Sequence, residues 1–155
     1  MQAARRSQSN DDPAAADGGP SETQRFEQAR SARASVQQED YVELIADLLA
    51  AHGEARITEI ARRLGVTHPT AHKTLSRLKR DGLVVSRPYR GVFLTETGQL
   101  LAVRVRARHR LVVDLLVAVG VPPDIAEADA EGMEHHASDA ALAAFERFLA
   151  EGRGG

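Results

Sequence analysis

The chain has 155 residues and no cysteine at all. Disulfide frameworks, thiolate zinc sites and cysteine nucleophiles are therefore excluded. Long apolar runs are missing too. The longest, Leu115 to Val121, falls far short of the roughly 20 residues a helix needs to cross a bilayer. The N-terminus carries no apolar signal core, so a cytoplasmic protein is the expectation. Aromatic residues make up only 4%. Otherwise the composition is globular, 43% hydrophobic and 27% charged, in a chain long enough for one large domain or two small ones.

The net charge of -2 conceals a pattern. Residues 1–36 balance five Arg against five acids, and residues 37–53 hold four acids and no base. Residues 54–95 set nine Lys and Arg against three acids, and residues 96–155 set six Arg against ten acids. A basic block between acidic ones points to an anionic partner for the middle of the chain, or simply to a solvated basic face.

Residues 1–36, rich in Ala, Ser, Gln, Asp and Gly, have too little apolar surface to offset the entropy of ordering and are expected to form a disordered tail. From Glu39, the residues Tyr41, Leu44, Ile45 and Leu48 share one helical face, which ends at His52-Gly53. Ile57, Ile60, Ala61 and Leu64 predict a short second helix closed by Gly65. Thr67 caps a third, with Pro69 in its first turn and Asp81-Gly82 at its end. Leu83–Val85 and Val92–Leu94 read as a hairpin around Arg87-Pro88-Tyr89-Arg90-Gly91. Thr95 caps a long helix running to Gly120. Pro122 opens an acidic helix running to His136, and Ser138 caps a last one with Leu142, Phe145 and Leu149 as its apolar face. The fold class is mainly α: a winged helix-turn-helix over residues 37–95, then a helical domain over 96–150.

The stretch from Ile57 to Gly82 carries the helix-turn-helix pattern of two helices around a glycine turn. Ala71, Leu75 and Leu78 point inward on the second helix. The outward candidates for DNA are His68, Pro69, Thr70, His72, Lys73, Ser76, Arg77 and Arg80. The first of these would reach base edges in the major groove, and the Lys and Arg would reach phosphates. Arg87, Tyr89 and Arg90 would form the wing, against backbone or minor groove.

A second set of residues carries donors. Asp40 and Glu43 sit at i and i+3, with Asp47 a turn further on; alone they read as a solvated acidic face. His109 falls in the apolar series Leu101, Val105, Val112, Leu116; alone it reads as a satisfied core histidine. Glu131, Glu134 and His135, at i, i+3 and i+4, bring two carboxylates and an imidazole to one helical face, and Glu127 lies on the same face. Like charges at this spacing cost stability unless a cation is present. Four carboxylates, two imidazoles and no sulfur form a hard to borderline donor set, suited to six-coordinate Mn²⁺ or Fe²⁺ rather than to tetrahedral structural zinc. Bridging carboxylates leave a two-metal cluster open. Adjacent histidines cannot both face one metal from a helix, so Glu-His-His is not the His-Glu-x-x-His zinc motif.

From Glu39 to Phe148 the chain resembles the diphtheria toxin repressor family of metal-dependent transcription regulators. The carrying motifs are Glu39-Asp40-Tyr41-Val42-Glu43, the helix-turn-helix, Arg90-Gly91-Val92-Phe93-Leu94-Thr95, Arg108-His109 and Asp129-Ala130-Glu131-Gly132-Met133-Glu134-His135-His136. The resemblance implies that Asp40, Glu43, His109, Glu131, Glu134 and His135 are metal ligands and that the C-terminal helices dimerise. Iron-sensing members carry methionine in place of Asp40 and cysteine in place of Glu131. The harder donors here imply Mn²⁺, with Fe²⁺ second. The SH3-like third domain of the iron sensors is not expected here, and the N-terminal segment is longer than usual for the family.

The expected function is a manganese-responsive repressor. Its metal ties the DNA-reading half to the C-terminal helices and sets the spacing of a dimer on a palindromic operator of manganese uptake genes. The competing readings are an iron-responsive or organic-ligand-responsive winged-helix regulator, a metallohydrolase and an effector-free DNA-binding protein. The hydrolase reading lacks a nucleophile and an open coordination position, so no enzymatic activity is expected.

Overall fold

The computed structural model describes residues 20–152. The elements in chain order are α1 (Glu22–His52), α2 (Ile57–Leu64), α3 (His68–Arg80), β1 (Val84–Arg87), β2 (Gly91–Leu94), α4 (Glu96–Ala118), α5 (Pro123–Met133), a 3-10 turn (Glu134–His136) and α6 (Asp139–Gly152). Among the described residues no helix is long and apolar enough to cross a membrane.

The expected tail over residues 1–36 needs correction. Residues 1–19 lie outside the described residues, but α1 begins at Glu22 and runs unbroken into the core. Its first half is exposed and has no apolar stripe, which is why periodicity misses it. Three things hold it helical instead. Ser21 and Gln24 form a reciprocal capping box. Ala, Gln, Glu and Arg between residues 22 and 36 are strong helix formers. The helix is also continuous with a packed half that has already met the cost of nucleation.

Tyr41, Val42, Ile45 and Leu48 of that packed half join Ile60, Leu75, Leu78, Leu83, Val84, Val92 and Leu94 in one buried cluster. Burying each large side chain contributes about 1.5–3 kcal/mol. α3 is capped by Thr67, whose hydroxyl accepts the Thr70 amide. The strands pair antiparallel with Val84 opposite Leu94 and Arg87 opposite Gly91. The wing tip is thus only Pro88-Tyr89-Arg90, tighter than the turn read from sequence, and Tyr89 adopts φ 62° there. Val92 also bridges to Ala55, and a Cβ on Gly91 would stand 2.4 Å from the Ala55 carbonyl oxygen.

The junction of the wing with α4 is held by Thr95. Its amide donates to the Leu83 carbonyl (3.0 Å) and its hydroxyl to the Gly82 carbonyl (2.6 Å), while the Gly98 amide caps onto that hydroxyl. α4 then packs along α1, α5 and α6, with Val105 and Val112 fully buried. A Cβ on Gly98 would lie 2.1 Å from the Leu83 carbonyl oxygen. Gly to Ala normally stabilises a helix by about 1 kcal/mol. Here the backbone collision reverses the sign, and Gly98→Ala is expected to lower stability by about 1–3 kcal/mol, read as a lower urea midpoint at unchanged slope.

Candidate metal centre and DNA-facing surface

The sequence predicts an acidic helix continuing to His136, but α5 stops at Met133 and a 3-10 turn follows. Glu131, Glu134 and His135 stay together across this break but stand at different depths. Glu131 stays exposed over the surface, whereas the side chains of Glu134 and His135 are 0% and 6% exposed. Glu134 faces inward between two imidazoles. His109 Nδ1 lies 3.6 Å from its Oε2, and His135 Nε2 lies 3.6 Å from its Oε1. His109 Nδ1 is also 3.5 Å from Glu131, and His135 Nε2 is 3.3 Å from Asp40 Oδ1. Asp40, Glu43, Glu131 and His135 line an open cleft of about 700 Å³ between α1 and the end of α5.

All six residues read from the sequence therefore gather where α1, α4 and the α5 terminus meet. As the side chains stand, no three His, Asp or Glu among the described residues close around one point. The chemistry of the gathering nevertheless fits a cation. Both carboxylate oxygens of Glu134 are buried without a hydrogen-bond partner. A buried carboxylate without a partner is costly and seldom tolerated without a compensating group. Burial, reinforced by the neighbouring Glu43 and Glu131, pushes its carboxyl up to about 7 against the pull of His135 and His109. Asp40 is raised by burial and then by Glu131 and Glu39, and Glu43 by burial and then by Glu131 and Asp47. Burial pushes His109 down, but its bond to Glu127 and the charges of Glu134 and Glu131 outweigh that and raise it.

Three neighbours complete the site. Asp47, from the acidic face, ion-pairs with Arg106 and ties α1 to α4. Glu127 Oε2 accepts from His109 Nε2 at 2.8 Å. Glu39 is absent from the candidates that the sequence offers. It is buried and meets both His135 Nδ1 (2.7 Å) and the Arg108 guanidinium (2.6 Å). Burial raises its carboxyl, but Arg108 and His135 outweigh that and hold it below the usual range. The signal for it in the sequence is an acid directly before Asp40 and an arginine directly before His109.

In the DNA-binding half, His68, Pro69, Thr70, His72, Lys73, Ser76 and Arg80 of α3 are exposed, as are Arg87 and Arg90 of the wing. His72, Ser76, Arg87 and Tyr89 line one recess between α3 and the wing. Arg87 and Arg90 stand over the Phe93 ring, 4.6 and 5.9 Å from its centroid, so the wing cations of β1 and the turn are braced on β2. Arg77 departs from the expected face. It is half-buried and donates to Gln37 Oε1 of α1 at 2.8 Å.

Comparison with known proteins follows the same division. Residues 34–92 match the model of the iron dependent repressor N-terminal DNA binding domain, and residues 95–153 match that of the iron dependent repressor metal binding and dimerisation domain. The transcriptional regulator MntR of Escherichia coli O157:H7 is 50% identical over 123 residues, 79% of this chain and 79% of that protein. The HTH-type transcriptional regulator MntR of Lysinibacillus sphaericus is 39% identical over 100 residues, 64% of this chain and 72% of that protein. Among solved structures, the manganese regulator SloR superposes with a TM-score of 0.62 at 29% identity over 72% of this chain. A manganese-dependent transcriptional repressor in complex with manganese gives 0.60 at 30% over 73%. This chain spans about half the length of those two, 53% and 52%.

Proposed function

Because the chain belongs to the iron-dependent repressor family, we propose that it is a manganese-responsive transcriptional repressor. It works in the cytoplasm as a homodimer on a palindromic operator of manganese uptake genes. The observation that carries the metal half of this reading is the buried carboxylate of Glu134, without a hydrogen-bond partner although it lies 3.6 Å from each of two imidazoles. The relatives named for manganese make Mn²⁺ the ion of choice, and the absence of sulfur from the donor set supports it.

Asp40, Glu43, His109, Glu131, Glu134 and His135 would hold one or two ions per subunit. A bound divalent ion supplies charge and coordination only, with no chemical step. Asp40 and Glu43 ride on the half of α1 whose opposite face, through Tyr41, Val42, Ile45 and Leu48, is built into the core of the DNA-binding half. His109, Glu131, Glu134 and His135 belong to the C-terminal half. Carboxylates on both sides of the junction repel one another, and neutralising them lets the two halves be held in one arrangement. α6 has no buried residue, and Phe148 stays 49% exposed beside exposed Val117. We assign this open apolar face to the dimer contact. A two-fold dimer places its α3 helices one DNA turn, about 34 Å, apart.

The reading is tested on duplexes selected from a random pool by the full-length protein in Mn²⁺. The selected sequence is expected to be an inverted repeat, and chelation is expected to weaken its binding by about 5–150-fold in fluorescence anisotropy. Titrations with Fe²⁺, Co²⁺ and Zn²⁺ rank the metals. DNA binding indifferent to the chelator overturns the proposal.

A further inference from the structure

Each of the two imidazoles turns one ring nitrogen toward Glu134, and each gives its other nitrogen to an acid outside the six candidates. The two arrangements are unequal. Glu127 is 63% exposed at its side chain and meets His109 through one bond of 2.8 Å. Glu39 is 10% exposed at its side chain, and one of its oxygens meets two partners, His135 Nδ1 at 2.7 Å and the Arg108 guanidinium at 2.6 Å. This single oxygen joins α1, α4 and the 3-10 turn. Glu39 precedes Asp40 and Arg108 precedes His109, so each helix delivers a ligand candidate and a brace from adjacent positions.

We propose that Glu39, held in place by Arg108, is the positioning residue for His135: it accepts the hydrogen bond of Nδ1–H, keeps the ring proton on that nitrogen and so presents the Nε2 lone pair to the cation. This inference rests on the metal-site reading above. Its chemistry is that of a neutral imidazole, which has one donor and one acceptor nitrogen. An ionised carboxylate can only accept, so Glu39 obliges Nδ1 to be the donor. Nε2 is then left unprotonated, and it is the nitrogen facing Asp40 Oδ1 at 3.3 Å and Glu134 Oε1 at 3.6 Å. With its proton on Nε2, His135 would aim a donor at the place where an ion needs a lone pair. Arg108, 2.6 Å from the same oxygen, holds the Glu39 carboxylate toward the ring rather than toward the cleft, where it would compete for the ion. Acidic partners of ligating histidines behave in this way at metal sites generally, and their loss typically costs 10–100-fold in affinity.

The test uses the full-length protein, with Mn²⁺ alone as the probe. Free Mn²⁺ is read by electron paramagnetic resonance, and the ring nitrogens of the metal-free protein by ¹⁵N–¹H correlation spectra. At a pH where the ring is neutral, wild type is expected to show His135 as a single tautomer protonated at Nδ1. Glu39→Ala is expected to mix the two tautomers and weaken Mn²⁺ binding by about 10–100-fold, and Glu127→Ala to weaken it only a few-fold. Glu39→Gln is near-isosteric and guards against a folding failure. Its amide can either accept from Nδ1–H or donate to bare Nδ1, so mixed tautomers and an intermediate affinity are expected at an unchanged melting temperature. Glu39→Asp, which stays acceptor-only, is expected to recover the single tautomer. A Glu39→Gln protein with wild-type affinity and an unmixed ring overturns the positioning role. Should His135→Ala also bind Mn²⁺ like wild type, it is the metal-site reading that falls.

Discussion

Replacing Glu134 with Gln is expected to have two opposite effects: Mn²⁺ binding is lost, and the metal-free protein gains stability near neutral pH. Both follow from a carboxylate buried without a hydrogen-bond partner. Its carboxyl, about 7 in the folded protein against 4.5 ordinarily, binds its proton more tightly when folded. The stabilisation from protonating it is therefore complete below about pH 4.5 and is lost as pH rises through about 7. A shift of that size corresponds to about 3 kcal/mol. His109, also raised, contributes in the same direction around and above its usual value. Glu39 and Glu59 are lowered, and the stability they contribute is lost only in acid, as pH falls. Urea titrations of the chelated protein between pH 5 and 8 should show stability falling across neutrality in wild type. In Glu134→Gln this fall should be much shallower, with a net gain of about 1–2 kcal/mol at pH 8, because the buried amide remains imperfectly bonded. The bound ion has to displace the same protons, so Mn²⁺ affinity in wild type should fall as pH drops below 7. An unchanged Mn²⁺ affinity in Glu134→Gln would remove the central residue from the site.

How much of this was legible in the chain differs from residue to residue. Thr67, Thr95 and Ser138 were legible as caps because a cap is a local matter of a hydroxyl and an amide three residues on, and the structure has all three bonds. The six donors were legible as a set only through the family resemblance, because Asp40 and Glu43 alone read as a solvated face and His109 alone as a core histidine, and their meeting depends on how three separate helices pack. The turn at Glu134–His136 was not legible. Helical spacing put Glu131, Glu134 and His135 on one face, and they do converge, but the chain tightens there and buries only the last two, a difference in depth that spacing does not carry. The first half of α1 was illegible for the converse reason. Its helix rests on propensity and a capping box rather than on buried spacing, so no periodic signal exists to be read. Arg108 and Glu39 are ordinary charges in sequence, and their meaning lies in a contact across 69 positions.

Arg77 shows the same limit on the DNA side, and it yields the second large effect. Sequence places Lys73 and Arg77 together, one helical turn apart, as phosphate contacts. In the fold they part: Lys73 is exposed, and Arg77 is half-buried against Gln37 of α1. Lys73→Ala is therefore expected to weaken binding to selected and random duplexes alike, by about tenfold or more for a dimer in which two phosphates go unneutralised. Its plot of log affinity against log salt should flatten by about 0.9 for each such phosphate. Mn²⁺ affinity should stay at the wild-type value, since Lys73 is exposed on α3 and is not one of the six donors. Arg77→Ala should leave that slope close to wild type, because its guanidinium is engaged within the protein. What it removes is a link between α3 and the part of α1 that carries Asp40 three residues after Gln37. The expected result is a smaller difference in DNA affinity between Mn²⁺-loaded and chelated protein, with Gln37→Ala behaving alike. Equal salt slopes for Lys73→Ala and wild type would remove Lys73 from the phosphate-binding set, and a slope lowered by Arg77→Ala would return Arg77 to the DNA face.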